Sequence, residues 1–305
     1  MAAAESEACA SRAVTSDKRQ VTSKMQDGGG RFRILKKERL TPVTNRFVVE
    51  APWVARAAKP GQFVIVRVHE HVERIPVTIA DFDPAAGTVT VVIQEVGRTS
   101  KLFGALQQGQ EVRDLVGPLG EPFHAAKPGA LVIGIGGGFG AAALYPVMRL
   151  LHQAGTSTEA IVGARSRDLL LLEQELSQVC RQVMPCTDDG SYGFKGLVTD
   201  RLKARLDELG DPQAVEVVAI GPMPMMRAVE ALTAQFQVPT QVSLDPIMVD
   251  GTGMCGGCRV SVGGQVKFAC VDGPMFDAHQ VDFAELVRRN KMYRQEEAQL
   301  NAAQA

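Results

Sequence analysis

A short segment near the C-terminus, from Asp250 to Cys258, concentrates glycine and cysteine in a way that few local folds accommodate. It reads Asp-Gly-Thr-Gly-Met-Cys-Gly-Gly-Cys, and Cys270 follows after eleven more residues. With Cys in the first position, the spacing D-x4-C-x2-C-x11-C would be an ordinary ligand loop for a [2Fe–2S] cluster. The glycines let the backbone wrap closely around such a cluster and point N–H groups at its sulfides. The segment therefore predicts a cluster held by Asp250, Cys255, Cys258 and Cys270.

Two other interpretations of this segment stay open. The C-x2-C pair also suits tetrahedral zinc, although structural zinc sites generally supply a second Cys or His pair and only Cys270 follows here. The remaining alternative is three thiols without any metal. That alternative leaves the density of glycines unexplained.

The composition limits the class of protein. The chain has 305 residues, enough for two or three domains, and its 45% hydrophobic and 22% charged residues are those of a soluble globular protein. A formal net charge of −1 gives no support for binding to nucleic acid or to an anionic membrane. The cysteines outside the cluster segment are scattered, as in a reducing cytoplasm. We expect a cytoplasmic protein that binds neither nucleic acid nor membrane.

The pattern of apolar residues divides the chain into segments. Residues 1–30 are polar, lack an apolar h-region and end in three glycines, so we expect a disordered tail, with Met25 as an alternative start. Short Val-rich runs in 31–125 predict a small antiparallel barrel or sandwich. Alternating buried strands and helices in 126–238 predict a parallel α/β domain. The cluster segment takes 239–282, and 283–305 form a helix and a polar tail.

A glycine-rich stretch, Gly134 to Gly140, follows the first buried strand of the α/β domain and precedes a helix expected from about residue 141. Glycines at such a place let the backbone approach a pyrophosphate, and a helix N-terminus favours its negative charge. Arg165 follows the next strand and could take a 2′-phosphate, which would favour NADP(H), but it could equally be a solvated loop charge. The residues assigned to the dinucleotide phosphates are Gly134, Gly136, Gly137, Gly138 and Arg165.

Two residues after the last α/β strand, Gly221 and Pro222, are expected to lie beside the nicotinamide, because ligands bind at the carboxyl ends of strands in open parallel sheets. The neighbouring Met225 and Met226 are expected to serve packing.

Two barrel segments carry polar groups suited to a second phosphate-bearing ligand. One has the form Arg-x-Pro-x-Thr at a strand end, and the other places Gly-Arg-Thr-Ser before a short helix. Either one alone could be an ordinary strand end or helix cap. The residues assigned to this ligand are Arg74, Pro76, Val77, Thr78, Gln94, Gly97, Thr99 and Ser100.

In this order, the barrel motifs, the glycine-rich turn and the cluster loop resemble the ferredoxin–NADP reductase superfamily over about residues 31–295. More narrowly, the chain resembles the electron-transfer subunit of dihydroorotate dehydrogenase and the related small subunit of NADH-dependent reduced ferredoxin:NADP oxidoreductase, also called a sulfide dehydrogenase subunit. The pieces that carry this resemblance are 74–81, 187–193, 221–226 and 245–274.

The resemblance implies FAD on the barrel, NAD(H) or NADP(H) on the α/β domain with Asp189 among its contacts, and one [2Fe–2S] cluster. It also implies a larger catalytic flavin and iron–sulfur subunit as partner, with ferredoxin as a further candidate. The dihydroorotate-type subunit has Cys at the place of Asp250, whereas the small subunit of the ferredoxin:NADP enzyme has a ligating Asp there. Asp250 therefore favours the second group.

Three functions follow from these patterns. The first is an electron-transfer subunit of an electron-bifurcating ferredoxin:NADP transhydrogenase or a sulfide dehydrogenase-type complex. The second is the electron-transfer subunit of NAD-dependent dihydroorotate dehydrogenase. The third is a redox sensor without turnover, which an intact dinucleotide turn disfavours because a sensor needs no such site. No Ser, His and Asp set suited to nucleophilic catalysis is apparent, so the chemistry is expected to belong to cofactors.

Overall fold

The computed structural model describes residues 32–124, 127–210 and 214–293. The tail expected at 1–30, the alternative start at Met25 and the last residues of the expected C-terminal tail lie outside this part of the chain.

Seven antiparallel strands form the first sheet, in the order β6-β1-β2-β5-β4-β3-β7. The two outer strands are consecutive in the chain and separated only by Arg113, so the sheet is curled into a nearly closed barrel. Two short helices lie between strands. The elements are β1 (Phe32–Thr41), β2 (Thr44–Glu50), α1 (Pro52–Ala57), β3 (Phe63–Arg67), β4 (Ile75–Asp83), β5 (Thr88–Gln94), α2 (Arg98–Ala105), β6 (Glu111–Val112) and β7 (Asp114–Leu119).

Strand β3 is buried on both faces, which explains its uninterrupted apolar sequence. Val64 and Val66 face the core inside the barrel, whereas Phe63 and Ile65 face outward into a second core. That second core also contains Cys258, Cys270 and residues of the α/β sheet. One strand thus joins the barrel to the rest of the molecule.

The second sheet has the order β11-β10-β9-β8-β12-β13-β16 and is parallel except for its last strand. Its helices cover both faces. The elements are β8 (Leu131–Gly137), α3 (Gly140–Gln153), β9 (Ser157–Ala164), α4 (Glu173–Ser177), β10 (Gln182–Thr187), β11 (Phe194–Lys195), α5 (Val198–Leu209), β12 (Val215–Ile220), α6 (Met223–Phe236), β13 (Thr240–Ser243) and β16 (Met275–Asp277).

The chain between β9 and β10 forms only short helical segments. Leu172 has a φ of 58°, in the left-handed region, so the chain turns there and only Glu173–Ser177 is α-helical. A single turn of 3₁₀ helix, Arg167–Leu169, precedes it.

The cluster segment contains a hairpin, β14 (Arg259–Val262) and β15 (Gln265–Phe268), and is followed by helix α7 (Phe283–Arg289). Strands β13 and β16 flank the hairpin region and belong to the α/β sheet. The cluster segment therefore leaves the α/β sheet and returns to it. The domain limits given above remain predictions.

Candidate functional site

The cluster loop, defined as residues 250–258, is organised by the carboxylate of Asp250. Its Oδ1 accepts a hydrogen bond from the N–H of Thr252 at 2.8 Å, and its Oδ2 accepts one from the N–H of Cys255 at 2.9 Å. These bonds hold the pKa of Asp250 below its usual range, and the bond from Thr252 has the largest effect. The carboxylate and the Cys255 backbone are therefore neighbours, with Asp250 ionised at neutral pH.

The other two predicted ligands form a second pair. The Sγ atoms of Cys258 and Cys270 lie 3.1 Å apart, and both thiols are buried. Burial and the hydrogen bond with Cys258 raise the pKa of Cys270 to about 12. Cys255, in contrast, is exposed. The hairpin holds the pair together, because the N–H of Ala269 donates to the carbonyl of Cys258 at 3.1 Å.

This arrangement fits a two-iron cluster, in which each iron takes two protein ligands. Asp250 with Cys255 makes one pair, and Cys258 with Cys270 makes the other. Three glycines of the loop have φ values of 68–83°, which only glycine adopts readily, so the backbone can turn around a central group. Within the residues that the structure describes, three or more His, Cys, Asp or Glu side chains are nowhere grouped to hold a single metal ion.

The cluster loop rests directly on the barrel. A Cβ built on Gly251 would lie 2.8 Å from Cγ1 of Ile65 and 3.0 Å from Cδ1 of Leu119. At the far end of the segment, the carbonyl of Gly273 accepts a hydrogen bond from the N–H of Glu121 at 2.6 Å. The loop thus approaches the outward face of β3 and the end of β7.

The same face of the barrel carries part of the Arg-x-Pro-x-Thr segment. In the register of β3 and β4, Ile65 is opposite Pro76 and Phe63 is opposite Thr78, and opposite residues share a face of a sheet. Pro76 and Thr78 therefore lie on the side where the cluster loop packs. Val77 is different, because its side chain is buried in the barrel core. Only its backbone can meet a ligand.

Arg74 comes just before β4 and keeps about half of its side chain exposed. Its guanidinium lies 3.9 Å from Asp114, whose carboxylate is bound more closely by Arg67 at 2.5 Å. A pair this long and this exposed is weak, so Arg74 can turn toward an anionic ligand.

The Gly-Arg-Thr-Ser segment begins helix α2 as predicted, but both hydroxyls have partners in the protein. Oγ of Ser100 accepts from the N–H groups of Val96 and Gly97, at 3.0 and 2.9 Å, and so caps the helix. Oγ1 of Thr99 donates to Oε2 of Glu73 at 2.6 Å. Sequence reasoning missed Glu73, although its position beside Arg74 is a signal. Gln94, the last residue of β5, is half-buried near this helix.

The glycine-rich turn is shorter than the sequence predicts, because β8 continues to Gly137 and only Gly138 and Phe139 lie between strand and helix. The glycines of the strand are there for packing. A Cβ on Gly134 would lie 2.6 Å from Sδ of Met148, and one on Gly136 would lie 2.8 Å from Cα of Ala141. Gly138 is half-buried but has open space at its Cβ position, has a φ of 53°, and donates its N–H to the carbonyl of Gly163 at 2.7 Å.

Gly137 and Gly221 meet at the carboxyl ends of the adjacent strands β8 and β12. A Cβ on Gly221 would lie 3.1 Å from Cα of Gly137, and Met225 covers both glycines. Pro222 is exposed and precedes helix α6. Met226 is fully buried, so its packing role is confirmed, whereas Met225 borders the predicted nicotinamide position.

Arg165 and Asp189 lie at the next two strand ends, in loops bonded to each other through the N–H of Asp189 and the carbonyl of Arg165 at 3.2 Å. Hydrogen bonds from Ser191 hold the pKa of Asp189 below its usual range. Tyr192 lies in the same loop and was not predicted as a site residue. Its ring lies 5.0 Å from the guanidinium of Arg167, and its hydroxyl donates to Glu173 at 2.9 Å. An aromatic residue in a loop at a strand end was the available signal.

Comparison with known proteins identifies relatives of this chain. A family model, the iron–sulfur cluster binding domain of dihydroorotate dehydrogenase B, matches residues 245–282. A Thermotoga maritima protein named as a homolog of the dihydroorotate dehydrogenase B (NAD(+)) electron transfer subunit is 43% identical over 265 residues, 87% of this chain and 92% of the relative. The electron transfer subunit of Desulforamulus reducens is 33% identical over 249 residues, 79% of this chain and 94% of the relative.

This chain belongs to the family of the dihydroorotate dehydrogenase B electron transfer subunit and its homologues. Among solved structures, one of an NADH-dependent reduced ferredoxin-NADP oxidoreductase superposes with a TM-score of 0.81 at 41% identity, over 89% of this chain and 97% of that one. The family resemblance, the predicted fold class and the role as an electron-transfer subunit of an oxidoreductase are confirmed.

The cofactor predictions agree with these comparisons. The family model describes an iron–sulfur domain. A ferredoxin NADP+ reductase from Neisseria gonorrhoeae, solved with bound FAD and NADP, shares the fold with a TM-score of 0.57 at 17% identity. Among the described residues, none of the helices is both long and apolar enough to cross a membrane.

Proposed function

We propose that this chain moves electrons between NAD(P)H, FAD and a [2Fe–2S] cluster as the small subunit of a ferredoxin:NADP transhydrogenase-type complex. The observation that carries the proposal is the contact of Gly251, in the cluster loop, with Ile65 on the barrel. Ile65 pairs with Pro76, on the strand assigned to FAD. A cluster and a flavin held at neighbouring positions suit the passage of single electrons between them.

When bound, the nicotinamide and the flavin exchange a hydride, and the cluster carries electrons one at a time. The residues of the chain hold these cofactors and orient them. Open space at the Cβ position of Gly138 leaves the start of α3 accessible to a pyrophosphate, and Pro222, exposed at the carboxyl end of β12, would border the nicotinamide ring. Arg74 and the start of α2 offer positive charge and N–H groups to the phosphates of FAD.

Asp250 favours this function over the second candidate, an electron-transfer subunit that serves dihydroorotate oxidation. The names of the relatives support the second candidate, but the dihydroorotate-type subunit carries Cys where this chain has Asp250. Carboxylate is a harder ligand than thiolate and shifts the reduction potential of an iron site. A subunit whose cluster has a different reduction potential is suited to a different electron-transfer partner.

The surface around the cluster loop suits a protein partner. Val249 approaches Gly257 of the loop, Val271 approaches Gly253, and Met254 precedes the exposed Cys255; 59%, 44% and 89% of these three apolar residues are exposed. Apolar side chains gathered on one surface are typical of protein interfaces. We propose that a larger catalytic flavin and iron–sulfur subunit docks here, with ferredoxin as a further partner of the complex.

A pair of buried cysteines tests the cluster assignment. Cys258→Ala should abolish iron binding and the visible absorbance of the cluster in anaerobically purified protein, while FAD remains bound. Cys186→Ala is the matched control, because Cys186 is as buried as Cys258 but lies on β10. Equal iron content in the two variants would contradict the assignment.

Affinity purification of the tagged chain from its native cells under anaerobic conditions tests the partner. A co-purifying subunit with flavin and [4Fe–4S] clusters, and ferredoxin-dependent NADP reduction by the complex, is the expected result. A partner that oxidises dihydroorotate would transfer the function to the second candidate despite Asp250.

A further inference from the structure

Helix α7 holds the cluster loop through two consecutive residues near its C-terminal end. Nη2 of Arg289 donates a hydrogen bond to the carbonyl of Gly257 at 3.2 Å, and Nδ2 of Asn290 donates to the carbonyl of Asp245 at 3.3 Å. Gly257 lies between the ligands Cys255 and Cys258, whereas Asp245 precedes the loop. The helix therefore fixes both the approach to the loop and its ligand-bearing turn.

The helix that carries Arg289 is itself anchored. Phe283 and Leu286 are buried in the core that also contains Cys258. Ser261 of the hairpin accepts a hydrogen bond from the N–H of Asp282 at its carbonyl, at 2.9 Å, and donates through Oγ to Glu285 at 2.5 Å. Because the helix is anchored in this way, less conformational entropy is lost when the guanidinium of Arg289 is held in place.

The carbonyl that Arg289 binds belongs to a residue that touches a ligand. The N–H of Gly257 points at Sγ of Cys255, 3.4 Å away. Glycine has wide conformational freedom, so this orientation needs a second restraint, and the bond from Arg289 supplies it. Hydrogen bonds to ligand sulfurs and nearby charge are among the factors that set the potential of an iron–sulfur cluster.

We propose that Arg289 is a positioning residue that orients the Gly257 turn and raises the reduction potential of the cluster. Reduction adds one electron to the cluster, and the added negative charge is stabilised by a guanidinium nearby and by an N–H group directed at Cys255. The guanidinium charge and the directed N–H group therefore both raise the reduction potential of the cluster. The proposal rests on the proposed function, since it needs a cluster bound at this loop.

The test uses the full chain with four variants: Arg289→Met, Arg289→Gln, Arg289→Lys and Arg288→Met. Arg288 is the matched control, because it carries the same charge on the same helix but is exposed, and within the described residues it makes no ion pair or hydrogen bond to the loop. Iron content is measured first. The cluster is then titrated anaerobically with dithionite and mediators and followed by EPR.

We expect Arg289→Met to retain iron and to lower the ratio of reduced to oxidised cluster about three- to tenfold at the midpoint potential of the wild type. The ratio for Arg289→Gln should lie between those of Arg289→Met and the wild type, because Gln keeps a hydrogen-bond donor but loses the charge. The ratio for Arg289→Lys should be close to that of the wild type. Arg288→Met should change the ratio less than twofold. If Arg289→Met loses the cluster, Arg289→Gln decides the proposal by the same criterion.

Equal shifts in Arg289→Met and Arg288→Met would overturn the proposal, because the effect would then be one of general charge. An unchanged potential in both the Met and Gln variants of Arg289 would also overturn it. Absence of iron from the wild type would instead contradict the proposed function, so the two failures are distinguishable.

Discussion

The two glycine-rich segments of this protein have similar compositions but use glycine for different physical reasons. In the first, Gly134 to Gly140, most glycines have ordinary backbone angles and are needed because neighbouring atoms leave no space for a Cβ. In the cluster loop, Gly251, Gly253 and Gly256 have φ values of 74°, 83° and 68° and are needed for backbone conformation. Glycine content alone therefore does not reveal what a loop binds.

The difference determines where ligands can lie. Along β8, the glycines bring α3 and α6 close to the sheet, and only Gly138 is left facing open space. In the cluster loop, repeated left-handed turns curve the chain around a centre. The first segment is a packed strand that ends in one open turn, and the second is a curved loop that can surround a ligand.

The largest effect is expected from Gly140→Ala. A Cβ at this position would collide with the backbone carbonyl of Ile220, which cannot move without separating α3 from β12. We expect a loss of about 3 kcal/mol or more in the free energy of unfolding, measured by denaturant titration. Gly97→Ala is the control, since Gly97 also begins a helix but has no atom within 4 Å of its Cβ position. Similar losses in both variants would refute the packing explanation.

Gly251→Ala should have the next largest effect. It combines left-handed strain with contact to Ile65 and Leu119, so we expect a loss of about 2 kcal/mol in the free energy of unfolding and weaker iron retention. Gly264→Ala separates the two causes, because Gly264 has the same φ of 74° but open space around it. Its loss should be about 1 kcal/mol, with iron unaffected. If Gly264→Ala is as damaging as Gly251→Ala, contact with the barrel is unimportant.

Gly138→Ala should affect binding more than folding. Left-handed strain at a φ of 53° costs about 1 kcal/mol, while the new methyl group enters the open space assigned to the pyrophosphate. We expect the Kd for NADH and NADPH to rise about tenfold in calorimetric titrations, with FAD and iron content retained. Unchanged Kd values for both nucleotides would remove Gly138 from the site.

The smallest effect is expected from Arg165→Ala. Arg165 is exposed, and within the described residues it makes no ion pair, so its removal should leave the free energy of unfolding within about 0.5 kcal/mol of the wild type. The ratio of the Kd for NADPH to that for NADH should rise about three- to tenfold, because only NADPH has a 2′-phosphate for this cation. An equal change for both nucleotides would mean that Arg165 does not contact the 2′-phosphate.

Much of this organisation can be predicted from the sequence. Short Val-rich runs such as Phe63 to Val66 predict the antiparallel sheet, the alternation of apolar runs with helices from Ile135 onward predicts the parallel one, and cysteine spacing predicts the cluster loop. The sequence does not reveal that β8 continues through Gly137. Its glycines are needed because Met148 and Ala141 pack against the strand and leave no space for a Cβ, which only the folded structure shows. It also cannot show that Thr99 binds Glu73 or that Arg289 reaches Gly257, since both contacts join distant segments of the fold.

The central claim is that electrons pass between the nicotinamide site, the barrel flavin and the loop at Asp250 to Cys258 within one chain. Rapid mixing of the anaerobic protein with NADH or NADPH, followed by absorbance and by freeze-quench EPR, tests it most directly. The account predicts that flavin absorbance bleaches and that the EPR signal of a reduced [2Fe–2S] cluster then develops, whereas Cys258→Ala shows only the bleaching. Bleaching without any cluster signal in iron-replete wild type, or no reaction with either nucleotide, would contradict it.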